Sequence, residues 1–150
     1  MCNRDAPLEH CPARYWFNYA DERRLGVRFA MAYQFVILVV DDETPVRSFV
    51  RELLTSAGFA VLMAGDAYEA IRVIAERHVD LLFTDIVMPG ANGFDLAAQA
   101  KLIRPNLKVL YCTGFAEKAK GRFGPRHGKL LEKPIRAESL TSEIRKALGA

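Results

Sequence analysis

The sequence predicts an α/β domain in which a parallel sheet carries helices on both faces. Two observations predict it. From residue 35 onward, five short apolar runs alternate with stretches of helical periodicity. The first of these runs is continuously apolar rather than alternating, as expected of a strand covered on both sides, and strand–helix alternation implies βαβ crossovers. A chain of 150 residues is long enough for one domain with a sizeable core, and 51% hydrophobic with 26% charged residues is ordinary for a globular protein.

Each element has its own signal. FVILVV (35–40) is β-branched-rich and reads as the first strand. In the next stretch Thr44 fits an N-cap and Pro45 a first helical residue; Val46, Phe49, Val50, Leu53, Leu54 and Ala57 fall on one helical face, and Gly58 closes the helix. FAVLMA (59–64) is the second strand. A helix over 66–78 follows, with Asp66 as cap and Ala67, Ala70, Ile71 and Ile74 on its apolar face. DLLFT (80–84) is the third strand, and residues 93–105 form a helix stopped near Pro105. LKVLYCT (107–113) is the fourth strand. The stretch after it has room for only a short helix, broken by Gly121, Gly124 and Pro125. KLLEKP (129–134) is the fifth strand, and 136–149 is a last amphipathic helix aligned on Leu140, Ile144, Ala147 and Leu148.

Residues 1–34 differ. They show no clean periodicity and set Tyr15, Trp16, Phe17 and Tyr19 together among charges. They read as an irregular N-terminal extension, with one short helix around residues 20–29, attached to a domain spanning 35–149; Met31 is a candidate internal start.

Composition excludes several function classes. A formal charge of +3 is too small to imply nucleic acid or a membrane surface without clustering. Cys2, Cys11 and Cys112 are odd in number and irregular in spacing, which argues against a disulfide scaffold and fits a reducing compartment. Cys2, His10 and Cys11 have no fourth metal ligand at suitable spacing, and Cys112 reads as a core residue. The N-terminus lacks a cleavable signal pattern, and the most apolar stretch, 29–40, is shorter than the ~20 residues a membrane span needs. The expected location is cytoplasmic.

In an open α/β sheet, ligands bind beyond the carboxyl ends of the strands. Those ends carry Asp41-Asp42-Glu43, Asp85, Thr113-Gly114 and Lys133-Pro134. Each alone is ordinary: an Asp at a strand end is more often a helix cap, a Thr-Gly or Lys-Pro pair more often a turn or loop. Their joint occurrence on one sheet edge is specific. Carboxylates a few ångströms apart repel and ionise together only when a cation intervenes. Hard oxygen ligands suit Mg²⁺, while a lysine and a threonine hydroxyl suit phosphate. A carboxylate nucleophile, a Mg²⁺ site, a hydroxyl and an ammonium are what phosphoryl transfer onto aspartate requires.

VVDDETPVR, TDIVMPGANGFDL, YCTG and LLEKPI together resemble the receiver domain of two-component response regulators, over about residues 35–149. The resemblance implies a flavodoxin-like (βα)5 doubly wound sheet of order 2-1-3-4-5. It implies that Asp85 accepts a phosphoryl group from a histidine kinase or histidine phosphotransfer protein. Asp41, Asp42, Asp85 and the main-chain carbonyl of Val87 match the Mg²⁺ ligands; Thr113 and Lys133 match the hydroxyl and the ammonium that meet the phosphoryl group. The Lys133–Pro134 bond is expected cis. The Met88-Pro89-Gly90 turn clears the approach to Asp85, and Gly93 lets the chain turn into the third helix. Such a domain is a phosphoacceptor rather than an enzyme, limited to self-catalysed transfer and slow autodephosphorylation. Leu130 stands where the family usually has an aromatic switch residue, with Phe115 as a substitute to fill the space. Lys118, Lys120, Arg122, Arg126, His127, Lys129 and Arg136 cluster near the fifth strand; a solvated loop is the first reading and a docking face for an acidic partner the second.

Two other classes fit the sequence less well. Haloacid-dehalogenase-like phosphatases also use an aspartate nucleophile with Mg²⁺, but their Asp-x-Asp motif fails at Glu43 and leaves Asp85 unexplained. A DNA-binding regulator would need an effector domain, and the chain ends at Ala150, right after the last helix. The expected output is therefore binding to an unnamed downstream protein. A receiver from a hybrid histidine kinase, or a phosphorelay intermediate, is the alternative.

Overall fold

The first strand, β1 (Val36–Val40), is buried at all five positions. Burying each such aliphatic side chain contributes about 1.5–3 kcal/mol relative to exposure, so β1 belongs at the centre of the sheet. The computed structural model describes residues 35–114 and 128–150. After β1 come α1 (Thr44–Ser56), β2 (Ala60–Ala64), α2 (Ala67–Glu76), β3 (Leu81–Asp85), β4 (Val87–Met88), β5 (Ala91–Asn92), α3 (Gly93–Ile103), β6 (Lys108–Thr113), β7 (Lys129–Glu132) and α4 (Ala137–Leu148). The main sheet has the order β2-β1-β3-β6-β7 with every pairing parallel. Counting its strands along the chain, this is the expected order 2-1-3-4-5.

Alternation along the strands makes two cores. Ile37, Val39, Leu81, Phe83, Leu110 and Cys112 meet Val50 and Leu54 of α1 and Leu140 and Ile144 of α4. Leu38, Val40, Leu82 and Tyr111 point the other way and meet Ala70 and Ile74 of α2 and Leu96, Ala97 and Ala100 of α3. The sheet is thus covered on both faces, as its continuous apolar runs predict. No described helix is long and apolar enough to cross a membrane.

Local departures have physical reasons. The N-cap of α1 is Glu43, not Thr44, and makes no side-chain cap bond; the Thr44 hydroxyl instead accepts from Arg47 at 3.3 Å. Phe49, expected on the buried face, is 49% exposed. It sits about 100° around the helix from Val50, at the outer flank of a stripe whose centre is Val50 and Leu54. Gly58 has φ +91° and ends the turn before β2 in a conformation other residues resist. Asp66 caps α2 as expected, accepting from the Glu69 N–H at 2.8 Å. Asp80 lies before β3 rather than in it, because its carboxylate accepts the Val36 N–H at 2.8 Å and fixes the start of β1. The antiparallel pair β4–β5 and the Asn92 cap of α3 were not expected. The strands expected at 107–113 and 129–134 shorten to β6 and β7, and the two last helices end within two residues of expectation. The extension 1–34, with its aromatic residues and the short helix expected there, lies outside the described residues, as do the short helix expected after β6, Phe115 and the basic residues from Lys118 to His127.

Candidate functional site

The order β2-β1-β3 means that the chain leaves β1 in one direction and returns to its other side at β3. Ligand crevices form at such a switch point, and here the carboxyl ends of β1 and β3 flank it. Asp41 follows β1 and is 5% exposed; Asp85 is the last residue of β3 and is 6% exposed. Asp42 is exposed to solvent. One carboxylate oxygen from each of Asp41, Asp42 and Asp85 lies within 4.8 Å of the others.

β6 and β7 bring the other two groups. Cys112 of β6 is in register with Asp85, so Thr113, buried at the strand end, stands beside the cluster. The main-chain carbonyl of Thr113 accepts the Lys133 N–H at 2.9 Å and fixes the backbone from which the lysine reaches back. Lys133 Nζ donates to Asp85 Oδ2 at 2.8 Å and to Asp41 Oδ2 at 3.0 Å. The Lys133–Pro134 bond is cis. The remaining carboxylate oxygens are also engaged: Asp85 Oδ1 accepts the Val87 N–H at 3.1 Å, and Asp41 Oδ1 accepts the Glu43 N–H at 2.9 Å.

The backbone under Asp85 is held equally firmly. The Thr84 hydroxyl donates to the Asp85 carbonyl at 2.9 Å, and the Ile86 N–H donates to the Cys112 carbonyl at 3.0 Å. α3 begins directly against this turn. A Cβ at Gly93 would overlap the Asp85 carbonyl oxygen, so only glycine admits so close an approach. The Asn92 side chain accepts from the N–H groups of Phe94 and Asp95, both at 2.9 Å, and completes the helix start.

Electrostatics follow from the packing. Burial opposes the charge on Lys133, but the hydrogen bonds it donates to Asp85 and Asp41 and their negative charges hold its pKa well above the ordinary lysine value. Burial pushes the Cys112 thiol up to about 12, Lys133 pulling the other way and the two aspartates adding to the rise. It is an inert core thiol. Three carboxylates face one ammonium, and a donor set of oxygens alone fits a hard divalent cation.

The five side chains singled out from the sequence, Asp41, Asp42, Asp85, Thr113 and Lys133, thus lie at one sheet edge. Val87, whose carbonyl was the sixth candidate, lies in β4 with its N–H on Asp85. One neighbour escaped the sequence reading. Arg47 Nη1 donates to the Asp41 main-chain carbonyl at 2.6 Å; its signal was a cation early in the helix that follows an acidic pair. Leu130 packs against the Tyr111 side of the sheet.

Comparison with known proteins decides the family: the model described as "Response regulator receiver domain" matches residues 37–145. The chain belongs to the response regulator receiver family. This receiver domain is 38% identical over 116 residues to the "Response regulator receiver protein CpdR" of Brucella abortus, an alignment covering 76% of this chain and 97% of that protein. It is 29% identical over 133 residues to the "Sensor kinase CckA" of the same organism, covering 86% of this chain but 14% of that much longer protein. Among solved structures, the response regulator TrrA of Thermotoga maritima, in complex with Mg²⁺-BeF, superposes with a TM-score of 0.70 at 25% identity, covering 76% of this chain and 99% of that one. Receiver domains act in two-component systems as phosphoacceptors and bind Mg²⁺, and the Asp41, Asp42 and Asp85 cluster has the donors for a metal.

Proposed function

We propose that this receiver domain takes a phosphoryl group onto Asp85 from a histidine kinase or a histidine phosphotransfer protein, and that the modified domain signals by binding another protein. The observation that carries the reading is the Lys133 ammonium held between the Asp85 and Asp41 carboxylates at 2.8 and 3.0 Å. A carboxylate oxygen of Asp85 forms the new O–P bond. The P–N bond to the donor imidazole breaks, and the leaving nitrogen keeps the electron pair. Lys133 supplies a positive charge to the arriving phosphoryl group, and Thr113 offers a hydroxyl donor. Asp41, Asp42, Asp85 and the Val87 carbonyl are the proposed Mg²⁺ ligands. Mg²⁺ held there would supply positive charge against the charge that builds on the transferring oxygens.

The test is incubation of the full chain with Mg²⁺ and acetyl phosphate, followed by intact mass spectrometry. One added phosphoryl group is expected, and chelation of Mg²⁺ should prevent it; an unmodified mass under both conditions would sink the reading. The metal site has its own prediction. Asp42→Ala should lower Mg²⁺ affinity at least tenfold, as loss of a carboxylate ligand leaves the cluster with two. Calorimetric titration showing unchanged affinity would remove Asp42 from the site. The variant should not lose stability without metal, because it relieves repulsion among carboxylates.

A second reading is a receiver from a hybrid histidine kinase or a phosphorelay intermediate, in which Asp85 passes its phosphoryl group onward. The likeness to the sensor kinase over 86% of this chain favours it. In both readings the expected location is the cytoplasm.

We assign the domain to 35–149 and treat 1–34 as an extension. The five-stranded sheet begins at Val36, and every site residue lies after it. A chain starting at Met31 is therefore expected to fold, bind Mg²⁺ and accept a phosphoryl group like the full chain, with little fall in melting temperature. Insolubility of the shortened chain would move the boundary.

A further inference from the structure

We infer that Arg47 is a positioning residue for the metal cluster: it holds the peptide between Asp41 and Asp42 in the orientation that favours Mg²⁺ over larger divalent cations. The inference rests on the metal reading above.

The geometry is specific. Arg47 Nη1 donates to the Asp41 main-chain oxygen at 2.6 Å, the shortest of the ties on that residue, and Nη2 reaches the Thr44 hydroxyl at 3.3 Å. The Asp41 carbonyl and the Asp42 N–H belong to one planar peptide unit. A grip on the carbonyl therefore sets where the Asp42 backbone begins, and with it the direction of the Asp42 side chain. Asp41 is fixed elsewhere already, through Lys133 at Oδ2, the Glu43 N–H at Oδ1 and the Ala64 carbonyl at its own N–H. Asp42 is exposed, so its backbone is set by the two peptides that flank it, one gripped by Arg47 and the other tied through the Glu43 N–H to Asp41.

The guanidinium is itself held. A Cβ at Gly65 would stand 3.4 Å from Arg47 Nη1 and 3.7 Å from its central carbon, so the end of β2 packs directly against it. The Gly65 N–H is in turn fixed on Glu69 Oε2 at 2.8 Å. Arg47 thus links the turn after β1 to the turn after β2. A planar fork with two donors suits this task, and a lysine ammonium does not reproduce it.

Two effects of opposite sign act on metal affinity. A positive charge near the cluster repels an incoming cation, which alone would make removal of Arg47 tighten binding. Orientation works the other way: partners that fix metal ligands typically contribute about 10–100-fold in affinity. The ions separate the two. Mg²⁺ demands near-ideal octahedral geometry, whereas Ca²⁺ accepts irregular shells. Loosening Asp42 should harm Mg²⁺ more than Ca²⁺; a pure charge effect acts on both divalent ions alike.

The experiment is calorimetric titration of the full chain with MgCl₂ and, separately, with CaCl₂, for the native protein, Arg47→Met and Arg47→Lys. Melting curves without metal accompany each variant. Arg47→Met is expected to raise the Mg²⁺ dissociation constant about tenfold and the Ca²⁺ constant by clearly less. Arg47→Lys keeps the charge and should show the same selective loss; it also serves if the methionine variant does not fold. Unchanged or tightened Mg²⁺ binding, or equal losses for the two ions, overturns the role of Arg47 while leaving the site intact. A native protein that binds no Mg²⁺ overturns the metal reading and this inference with it.

Discussion

Asp85→Asn is expected to abolish labelling by acetyl phosphate. The carboxamide keeps the shape of the side chain, can still accept the Val87 N–H and leaves Lys133 paired with Asp41. Folding should therefore survive. What is lost is the anionic oxygen that forms the O–P bond, and a neutral amide is no substitute as a nucleophile. Mg²⁺ binding should weaken as well, since one of the three clustered carboxylates becomes neutral. The expected readout is an intact mass that does not change under conditions that label the native chain. Labelling of Asp85→Asn at the native level would move the acceptor elsewhere, and Asp42, exposed at the mouth of the cluster, would be the next candidate.

Gly93→Ala is expected to damage stability and phosphorylation together. The added Cβ would collide with the Asp85 carbonyl oxygen and lie 3.0 Å from the Ile86 Cα and 3.1 Å from the Asp85 carbonyl carbon. These are backbone atoms, tied to the sheet by the bond from Ile86 to Cys112, so no flexible side chain can yield. Either α3 backs away and its Gly93 N–H bond to the Ile86 carbonyl, 2.9 Å long, stretches, or Asp85 is displaced. Overpacking of this kind costs about 3 kcal/mol. Urea unfolding measures it, and the labelling rate should fall in the same variant. Gly114→Ala is the control: among the described residues nothing lies within 4 Å of its Cβ position, and a change within about 0.5 kcal/mol is expected at such an open site. Equal behaviour of the two variants would mean that the approach of α3 to Asp85 does not constrain the site.

The main sheet was legible because its strands announce themselves. β1 and β3 are continuous apolar runs ending at carboxylates, so the strand ends, and with them the site residues, are marked by the same few letters. Elements shorter than one structural period were not legible. β4 and β5 have two residues each, too few to show alternation, and the Asn92 cap depends on where α3 begins. Phe49 misled because its position differs from that of Leu53 by one helical turn, and periodicity alone does not say where a stripe ends. Arg47 was hidden for a different reason: its partner is a main-chain oxygen, and a sequence carries no mark for a carbonyl awaiting a donor.

The lysine at the end of β7 has a mechanical meaning. β7 is the outermost strand of the sheet, joined to it through β6 alone. Lys133 reaches over β6 and fastens to the ends of β1 and β3. It is a cable strung from the border of the sheet to its middle. A newcomer at Asp85 that competed for the ammonium would change the tension in that cable, and the border strand, held by a single neighbour in the sheet, is where slack would be expected.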